Sequence, residues 1–334
     1  MPTIVRVAAT VVVLCALSLL AGIKANAQSL PKEVATRAEI YPIPSLTLSD
    51  QQFLSGDAAA GKPVTVAGEF RVAQGTGKLP VVVLMHGSSG VGATTEAWVH
   101  AFNAMGISTF VIDGFTGRGL TVVGPNQALL GRLNLIVDIY RSLEILAKHP
   151  RVDPDRIVLM GFSRGGQATL YASLARFNKL WNKSGIQFAA YIPFYPDCST
   201  TYQSDAEVSA RPIRIFHGAP DDYNPVKSCE AFVERLKAAG RDVVLTEYPD
   251  SAHGFDSGLL GVKAIAVSAN AQTVRNCHIR EGDGGVLMNG DTNAPFSYKD
   301  ACVELNPHVG GNPKTAVEAR KAVEDFLQAL FKLG

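Results

Sequence analysis

Short apolar runs alternate with amphipathic stretches along most of the chain from residue 64 onward. Runs of strand length followed by stretches of helix length are typical of a mostly parallel sheet with helices on both faces. The pattern predicts strands at residues 64–72, 79–85, 107–112, 157–160, 188–194, 213–216 and 243–247. It predicts helices at residues 96–105, 126–148, 164 to about 177, 226–239 and 315–331. We therefore expect an α/β fold.

Two segments interrupt the alternation. Asp153-Pro154-Asp155-Arg156 predicts a turn just before the strand at residues 157–160. Residues 257–313 lose the periodicity and become polar and rich in glycine and asparagine, as in EGDGGVLMNGDTNAP. We interpret this second segment as a loop-rich excursion between the last strand and the last helix. Because no repeat or linker divides residues 28–334, we predict a single domain there.

The first 27 residues have a different character. Arg6 precedes an apolar stretch at residues 7–23, and Ala25-Asn26-Ala27 fits a small-x-small cleavage site. This pattern predicts a secretory signal peptide at residues 1–27. A membrane anchor is the alternative, but polar residues and glycine interrupt the apolar stretch and a cleavage site follows it. We expect a secreted or periplasmic protein with no membrane association after cleavage.

Charge and cysteine content narrow the possible partners. Of 31 basic residues two lie in the first 27, so 29 basic residues face 30 acidic ones in the remainder. This balance gives no electrostatic reason to expect nucleic acid or an anionic membrane as a partner.

The remainder contains four cysteines, Cys198, Cys229, Cys277 and Cys302. Their even number suits two disulfides in an oxidising compartment, and none has metal-ligand spacing.

Candidate chemistry begins at Ser163, in the stretch IVLMGFSRGG at residues 157–166. A serine with glycine two residues before and two after it, between a buried strand and a helix, is typical of a nucleophile elbow. The bare motif also arises by chance, and a glycine-rich packing turn is the alternative. A serine hydroxyl is a weak nucleophile, so catalysis needs a base and a group that orients the base.

The base and its partner should follow the nucleophile in the order acid, then histidine. Asp221 and Asp222 come just after the strand at residues 213–216, and His253 follows the strand at residues 243–247. The spacing alone leaves Asp221 and Asp222 as alternatives for the acid. The order favours His253 as the base.

The remaining histidines fit other positions. His86 and His217 also end predicted strands, but they precede the serine or the acid. We expect both to be hydrogen-bonded turn residues.

Acyl transfer also needs donors for the developing oxyanion. One candidate is the backbone N–H of Arg164, at the start of the helix that follows Ser163. The other is the backbone N–H of Ser88, in the loop HGSSG that follows the strand at residues 79–85. A merely flexible strand end is the alternative for that loop.

With these residues in place, the chain resembles the α/β-hydrolase superfamily and, within it, the dienelactone hydrolase family. The resemblance rests on LPVVVLMHGSSG, VIDGFTGRG, VDPDRIVLMGFSRGG, HGAPDDYNPVKSC and YPDSAHGFD. It implies the α/β-hydrolase fold, with the site at the carboxyl ends of the strands. It also implies that the acid is Asp221, because Asp221 and Pro225 match the family's D-x-x-x-P segment. Secreted members that this chain resembles imply disulfides between Cys198 and Cys229 and between Cys277 and Cys302.

The chain departs from the family at the nucleophile. The enzymes that give the family its name use cysteine there, whereas this chain has Ser163. The residues that hold a dienelactone carboxylate cannot be matched, so the family name does not identify the substrate. Arg118 and Arg164 lie near the expected pocket, where they could meet an anionic group or form salt bridges.

The resulting hypothesis is a serine hydrolase for a small-molecule carboxylic ester or lactone, with no metal or organic cofactor. A serine peptidase of the same fold is one alternative, although no large cap is present to select peptides. A non-catalytic binding protein that retains the fold is the other, although it would have no need for all three triad residues.

Overall fold

The computed structural model describes residues 31–333, so the predicted signal peptide at residues 1–27 lies outside the described residues. The strands are β1 (Arg37–Thr47), β2 (Lys62–Val72), β3 (Leu79–Met85), β4 (Ser108–Asp113), β5 (Val152–Phe162), β6 (Ala190–Phe194), β7 (Thr200–Thr201), β8 (Ile213–Gly218), β9 (Val243–Tyr248), β10 (Ile265–Val267), β11 (Gln272–Thr273), β12 (Ile279–Glu281), β13 (Leu287–Asn289), β14 (Glu304–Leu305) and β15 (His308–Gly310). The helices are α1 (Asp50–Ser55), α2 (Ala93–Ala104), α3 (Asn134–Leu146), α4 (Arg164–Tyr171), α5 (Ala175–Trp181), α6 (Val226–Ala238) and α7 (Pro313–Phe331).

The central sheet has eight strands in the order β1-β2-β4-β3-β5-β6-β8-β9. In this order β4, β3, β5, β6, β8 and β9 each pair in parallel with the next strand. β2 is antiparallel to both of its neighbours, β1 and β4. The predicted α/β fold with a mostly parallel sheet is therefore confirmed. The sequence pattern missed β1, an edge strand whose exposed residues and two prolines weaken the strand signal.

Helices cover both faces of the sheet, as predicted. Along β3, Val81 and Val83 pack into a core that includes residues of α3, α4 and α6, whereas Val82 and Leu84 pack against α2 and α7. This division follows from the alternation of side chains along a strand. Because both faces are buried, β3 has the continuous apolar sequence expected of a central parallel strand.

The first turns of the helix predicted at residues 126–148 are absent, and α3 begins at Asn134. The backbone oxygens of Leu130 and Gly131 accept hydrogen bonds from the guanidinium of Arg164. The Gly131 oxygen also accepts the backbone N–H of Asn134 at 3.2 Å, and Gln127–Leu129 form a short 3-10 turn. The segment predicted as the start of the helix is therefore tied by its carbonyls to a buried side chain from another part of the chain.

The turn predicted at residues 153–156 is also wrong. These residues lie inside β5, where Leu79 pairs with Val152 but Val81 pairs with Ile157. The four intervening residues bulge from the ladder, and pairing resumes beyond them. Local turn-forming residues are accommodated here without ending the strand.

The helix predicted from residue 164 to about 177 is divided into α4 and α5. At the break, the backbone oxygen of Ser173 accepts from the N–H of Ser209, and the N–H of Ala175 donates to Glu207. A neighbouring loop therefore satisfies the backbone groups between the two helices.

Short strand pairs organise the excursion at residues 257–313. β10 pairs with β15, β11 with β14, and β12 with both β13 and β7. Disulfides join Cys277 to Cys302 within the excursion and Cys198, which follows β6, to Cys229 on α6. These are the pairings that the family resemblance implied. Among residues 31–333, no helix is both long enough and apolar enough to cross a membrane.

Candidate active site

Ser163 lies at the sharp turn between β5 and α4, with φ 53° and ψ −115°. A positive φ is costly for a serine and persists only where the surroundings impose it. A Cβ added to Gly161 would lie 2.2 Å from the backbone oxygen of Gly165, and one added to Gly165 would lie 2.2 Å from that of Met85. The two glycines therefore permit the close backbone packing of this turn, which presents the Ser163 hydroxyl at the carboxyl end of β5.

A continuous hydrogen-bond chain leads away from that hydroxyl. Ser163 Oγ lies 2.8 Å from His253 Nε2, and His253 Nδ1 lies 2.8 Å from Asp221 Oδ2. The other carboxylate oxygen of Asp221 accepts the backbone N–H groups of Tyr223 and Asn224 at 2.8 and 2.9 Å. The carboxylate is thereby fixed against the imidazole, and Nδ1 is the nitrogen placed to donate to it.

Asp222 has other partners. Its carboxylate pairs with Arg275 and His308, both from the excursion. Partial burial acts to raise the pKa of Asp222, but hydrogen bonds from His308 and the charge of Arg275 lower it overall. Asp222 thus fastens the excursion beside the site, and the structure places Asp221 against His253.

Two aromatic rings flank His253. The ring centroids of Tyr195 and Tyr223 each lie 4.6 Å from that of the imidazole. The hydroxyl of Tyr195 donates to Asp256 Oδ1 at 2.8 Å, and Trp98 Nε1 donates to Asp256 Oδ2 at 2.9 Å. Burial raises the pKa of Asp256. No motif indicated this cluster, because its members come from distant parts of the chain.

The loop that follows β3 lies directly against the nucleophile. A Cβ added to Gly87 would lie 3.3 Å from Ser163 Cβ and 3.1 Å from the backbone oxygen of Phe162. Among the described residues, no hydrogen bond engages the backbone N–H of Ser88 or of Arg164. Both residues line the same narrow pocket as Ser163. The structure thus brings Ser88 and Arg164, the residues predicted to supply oxyanion donors, to a pocket that Ser163 also lines.

Gln127 connects these parts and was missed by sequence reasoning. Its side-chain oxygen accepts from Ser88 Oγ and from the guanidinium of Arg164, while its side-chain nitrogen lies 3.3 Å from the hydroxyl of Tyr223. Its backbone N–H donates to Gln272 of the excursion at 2.8 Å. The residue lies in the segment predicted to be helical, where the sequence carries no sign of this role.

Arg118 lines neither of the two pockets that Ser163 borders, which argues against the predicted substrate-binding role. Its side chain is 3% exposed and forms an ion pair with Asp138 at 2.7 Å. The guanidinium also donates to Thr47 Oγ1 and to the backbone oxygens of Leu46 and Gly114. The salt bridge considered as the alternative is the arrangement found.

Arg164 lines the narrow pocket, but its guanidinium is also committed to protein acceptors. It donates to Gln127, Leu130 and Gly131, and burial lowers its pKa. Of the guanidinium nitrogens of Arg164, only Nε lacks a partner among the described residues. The guanidinium therefore mainly contacts protein groups and offers little to an anionic ligand.

His86 and His217 form hydrogen bonds at strand ends, as predicted, although His217 lies within β8 and not in a turn, and both are buried. His86 Nδ1 lies 2.8 Å from the backbone oxygen of Gly87, and its Nε2 accepts the N–H of Gly114 at 3.0 Å. His217 Nδ1 lies 3.1 Å from the backbone oxygen of Gly218. Burial lowers the pKa of both histidines. Within residues 31–333, no group of three or more potential ligands is arranged to hold a metal ion.

A family model described as "Dienelactone hydrolase family" matches residues 70–274. Acyl-protein thioesterase 1 of Gibberella zeae is 31% identical over 100 residues, which are 30% of this chain and 42% of that protein. A Mycobacterium tuberculosis protein named "Probable carboxylic ester hydrolase LipM" is 26% identical over an alignment of 178 residues, which covers 41% of this chain and 41% of that protein. The matches thus span about two fifths of these relatives.

A solved structure also resembles the chain. The butyrate-bound esterase Est2 of Thermogutta terrifontis superposes with a TM-score of 0.45 at 19% identity, over 57% of this chain and 81% of that one.

Proposed function

The chain belongs to the dienelactone hydrolase family, and on that premise we propose that it is a serine hydrolase that cleaves a carboxylic ester or lactone through an acyl-enzyme. The observation that carries the proposal is the hydrogen-bond chain from Ser163 through His253 to Asp221, with both links at 2.8 Å. A hydroxyl, an imidazole and a fixed carboxylate in this order form the arrangement that activates a serine.

In the proposed reaction, Ser163 Oγ attacks the ester carbonyl while its proton passes to His253 Nε2. Asp221 accepts a hydrogen bond from Nδ1–H, remains ionised and stabilises the imidazolium that forms. The backbone N–H groups of Ser88 and Arg164 donate hydrogen bonds to the oxyanion. Arg164 lies at the start of α4, where the helix dipole also favours negative charge. When the tetrahedral intermediate collapses, the carbon–oxygen bond to the alcohol breaks and His253 returns the proton to the leaving oxygen.

Deacylation repeats these steps with water. His253 takes a proton from water, the hydroxide attacks the acyl carbon, and the bond to Ser163 Oγ breaks as the serine regains its proton. The acid product leaves and the triad returns to its starting state. Each step uses only residues of this chain and water.

We further propose that the protein works outside the cytoplasm, secreted or in the periplasm. The described residues contain two disulfides, and such bonds persist in oxidising compartments. The signal peptide predicted at residues 1–27 supports the same location. Expression of the full chain followed by N-terminal sequencing of the mature protein tests this, with Gln28 expected as the first residue.

The test of the activity is a panel of short-chain 4-nitrophenyl esters and simple lactones, assayed with the wild type and with Ser163→Ala. We expect turnover by the wild type, loss of turnover by the variant, and fluorophosphonate labelling of Ser163. Absence of both turnover and labelling would favour a non-catalytic binding protein. Cleavage of peptide substrates with no ester turnover would favour the peptidase alternative.

A further inference from the structure

A cavity of about 570 Å³ opens beside Ser163 and His253. Its walls come from the loop after β3, the segment near Gly124, and the excursion. Glycine, alanine, serine, threonine, valine and aromatic residues make up most of its lining. Among the described residues that line it, none is lysine, arginine or glutamate, and Asp256 is the one aspartate.

Asp256 does not provide a charge to a ligand. Its carboxyl group is fully buried and engaged by Trp98 and Tyr195. Among the lining residues, Val122 and Val262 are 46% and 42% exposed. The cavity lining is therefore uncharged, with apolar side chains and hydroxyl groups.

The three arginines considered for an anionic substrate are engaged by protein groups. Arg118 pairs with Asp138, and Arg132 pairs with Asp197. The guanidinium of Arg164 faces a separate pocket on which Ser163 also borders, with a volume of about 30 Å³. That pocket has room for one or two water molecules but not for a carboxylate-bearing chain.

We infer that the substrate is an uncharged ester whose apolar acyl or alkoxy group occupies the 570 Å³ cavity, and that esters bearing a carboxylate on that group are discriminated against. A carboxylate that leaves water for a site without a cation loses much of its hydration and gains no partner. An apolar group gains free energy from the same transfer. This inference rests on the proposed hydrolase function and adds the substrate's charge class to it.

Three 4-nitrophenyl esters of one chain length test the inference. They are the 6-methylheptanoate, the hydrogen adipate and the methyl adipate, so the terminal group is isopropyl, carboxylate or methyl ester. The carboxylate ester should show a kcat/KM at least about 100-fold below that of the isopropyl ester, because a charge must be desolvated. The methyl adipate separates charge from polarity, and it should lie closer to the isopropyl ester.

Two lysine variants on β10 locate the effect. Ala266 lines the cavity, whereas its neighbour Val267 does not, because adjacent side chains on a strand point to opposite faces. Ala266→Lys should raise kcat/KM for the hydrogen adipate about 10-fold by supplying a cation. Val267→Lys adds the same charge to the outer face and should leave that value within about twofold of the wild type.

The possible results distinguish failure of the inference on substrate charge from failure of the proposed hydrolase function. Equal kcat/KM for the carboxylate and isopropyl esters, or equal gains from the two lysine variants, would overturn the inference while leaving the hydrolase function in place. Turnover of none of the three esters, together with no labelling of Ser163, would overturn the proposed function itself.

Discussion

Asp221 and Asp222 are adjacent in the chain, yet their carboxylates hold different parts of the molecule. Asp221 Oδ2 lies 2.8 Å from His253 Nδ1, whereas Asp222 Oδ2 lies 2.8 Å from His308 Nδ1. One residue orients the proposed base, and the other fastens the excursion beside it. This division makes the pair a matched test of the proposed mechanism.

Asp221→Asn should lower kcat/KM for a short 4-nitrophenyl ester by about 10³- to 10⁴-fold, because the amide no longer stabilises the imidazolium. Asp222→Asn should lower it less than about 10-fold, since Asp222 does not contact His253. Steady-state kinetics of both variants at neutral pH provide the measurement. Similar losses in the two variants would contradict the assignment of the acid.

Gln127 should act as a positioning residue for the oxyanion site. In Gln127→Ala, Ser88 and Arg164 lose a shared partner, and a small displacement of catalytic groups costs up to about 100-fold in rate. We expect kcat to fall between about 10- and 100-fold with KM nearly unchanged.

Gln127→Glu is the conservative control for that prediction. It retains an acceptor for the guanidinium of Arg164 but loses the donor near Tyr223, so its kcat should lie between those of the wild type and the alanine variant. If KM rises and kcat is unchanged, Gln127 contributes to substrate binding instead.

Arg118 should stabilise the fold without contributing to substrate binding. Arg118→Met leaves the Asp138 carboxylate buried without its partner, which should lower the free energy of unfolding by about 3–5 kcal/mol. The double variant Arg118→Met/Asp138→Leu should recover part of that loss because no charge remains unpaired. Urea unfolding measures both effects, and KM for esters should stay constant. A selective rise in KM for carboxylate esters would restore a substrate-binding role.

Stability should decline in mild acid because of His86 and His217. Burial holds their folded-state pKa values below the ordinary value of 6.5, so below about pH 6.5 the unfolded chain binds more protons than the folded one. The free energy of unfolding should therefore be smaller at pH 5 than at pH 7.5.

The histidine contribution can be isolated by substitution. His86→Gln should reduce this pH dependence, because the side chain no longer titrates. Urea unfolding at several pH values compares the slopes. An unchanged slope in the variant would show that His86 does not contribute to the acid sensitivity.

The disulfide within the excursion should contribute roughly 3 kcal/mol to stability, as expected for a closed loop of about this length. The variant Cys277→Ser/Cys302→Ser removes it, and Cys198→Ser/Cys229→Ser removes the other as a comparison. Because the excursion lines the cavity, the first variant should also lose activity at urea concentrations where the sheet remains folded. Coincident loss of activity and sheet structure would contradict this separation.

The positions of Ser163, Asp221, His253 and Ser88 in the fold could be predicted from the sequence. Each follows an apolar strand, and the carboxyl ends of parallel strands meet at one edge of a sheet, so local patterns indicate where these residues lie. The order of the three triad candidates along the chain then favoured their roles. The family resemblance distinguished Asp221 from Asp222, and the geometry of the site agrees with that choice.

The surroundings of the site were decided only in the tertiary structure. Trp98 and Asp256 are 158 residues apart, and Arg118 and Asp138 meet across separate elements. Local periodicity carries no information about such partners. The segment before α3, where the sequence predicts a helix, likewise contacts a distant residue, because its carbonyls accept hydrogen bonds from the guanidinium of Arg164. The sequence alone therefore determined the α/β class, the parallel strands and the three triad candidates. Packing between distant segments decided the charge and shape of the cavity.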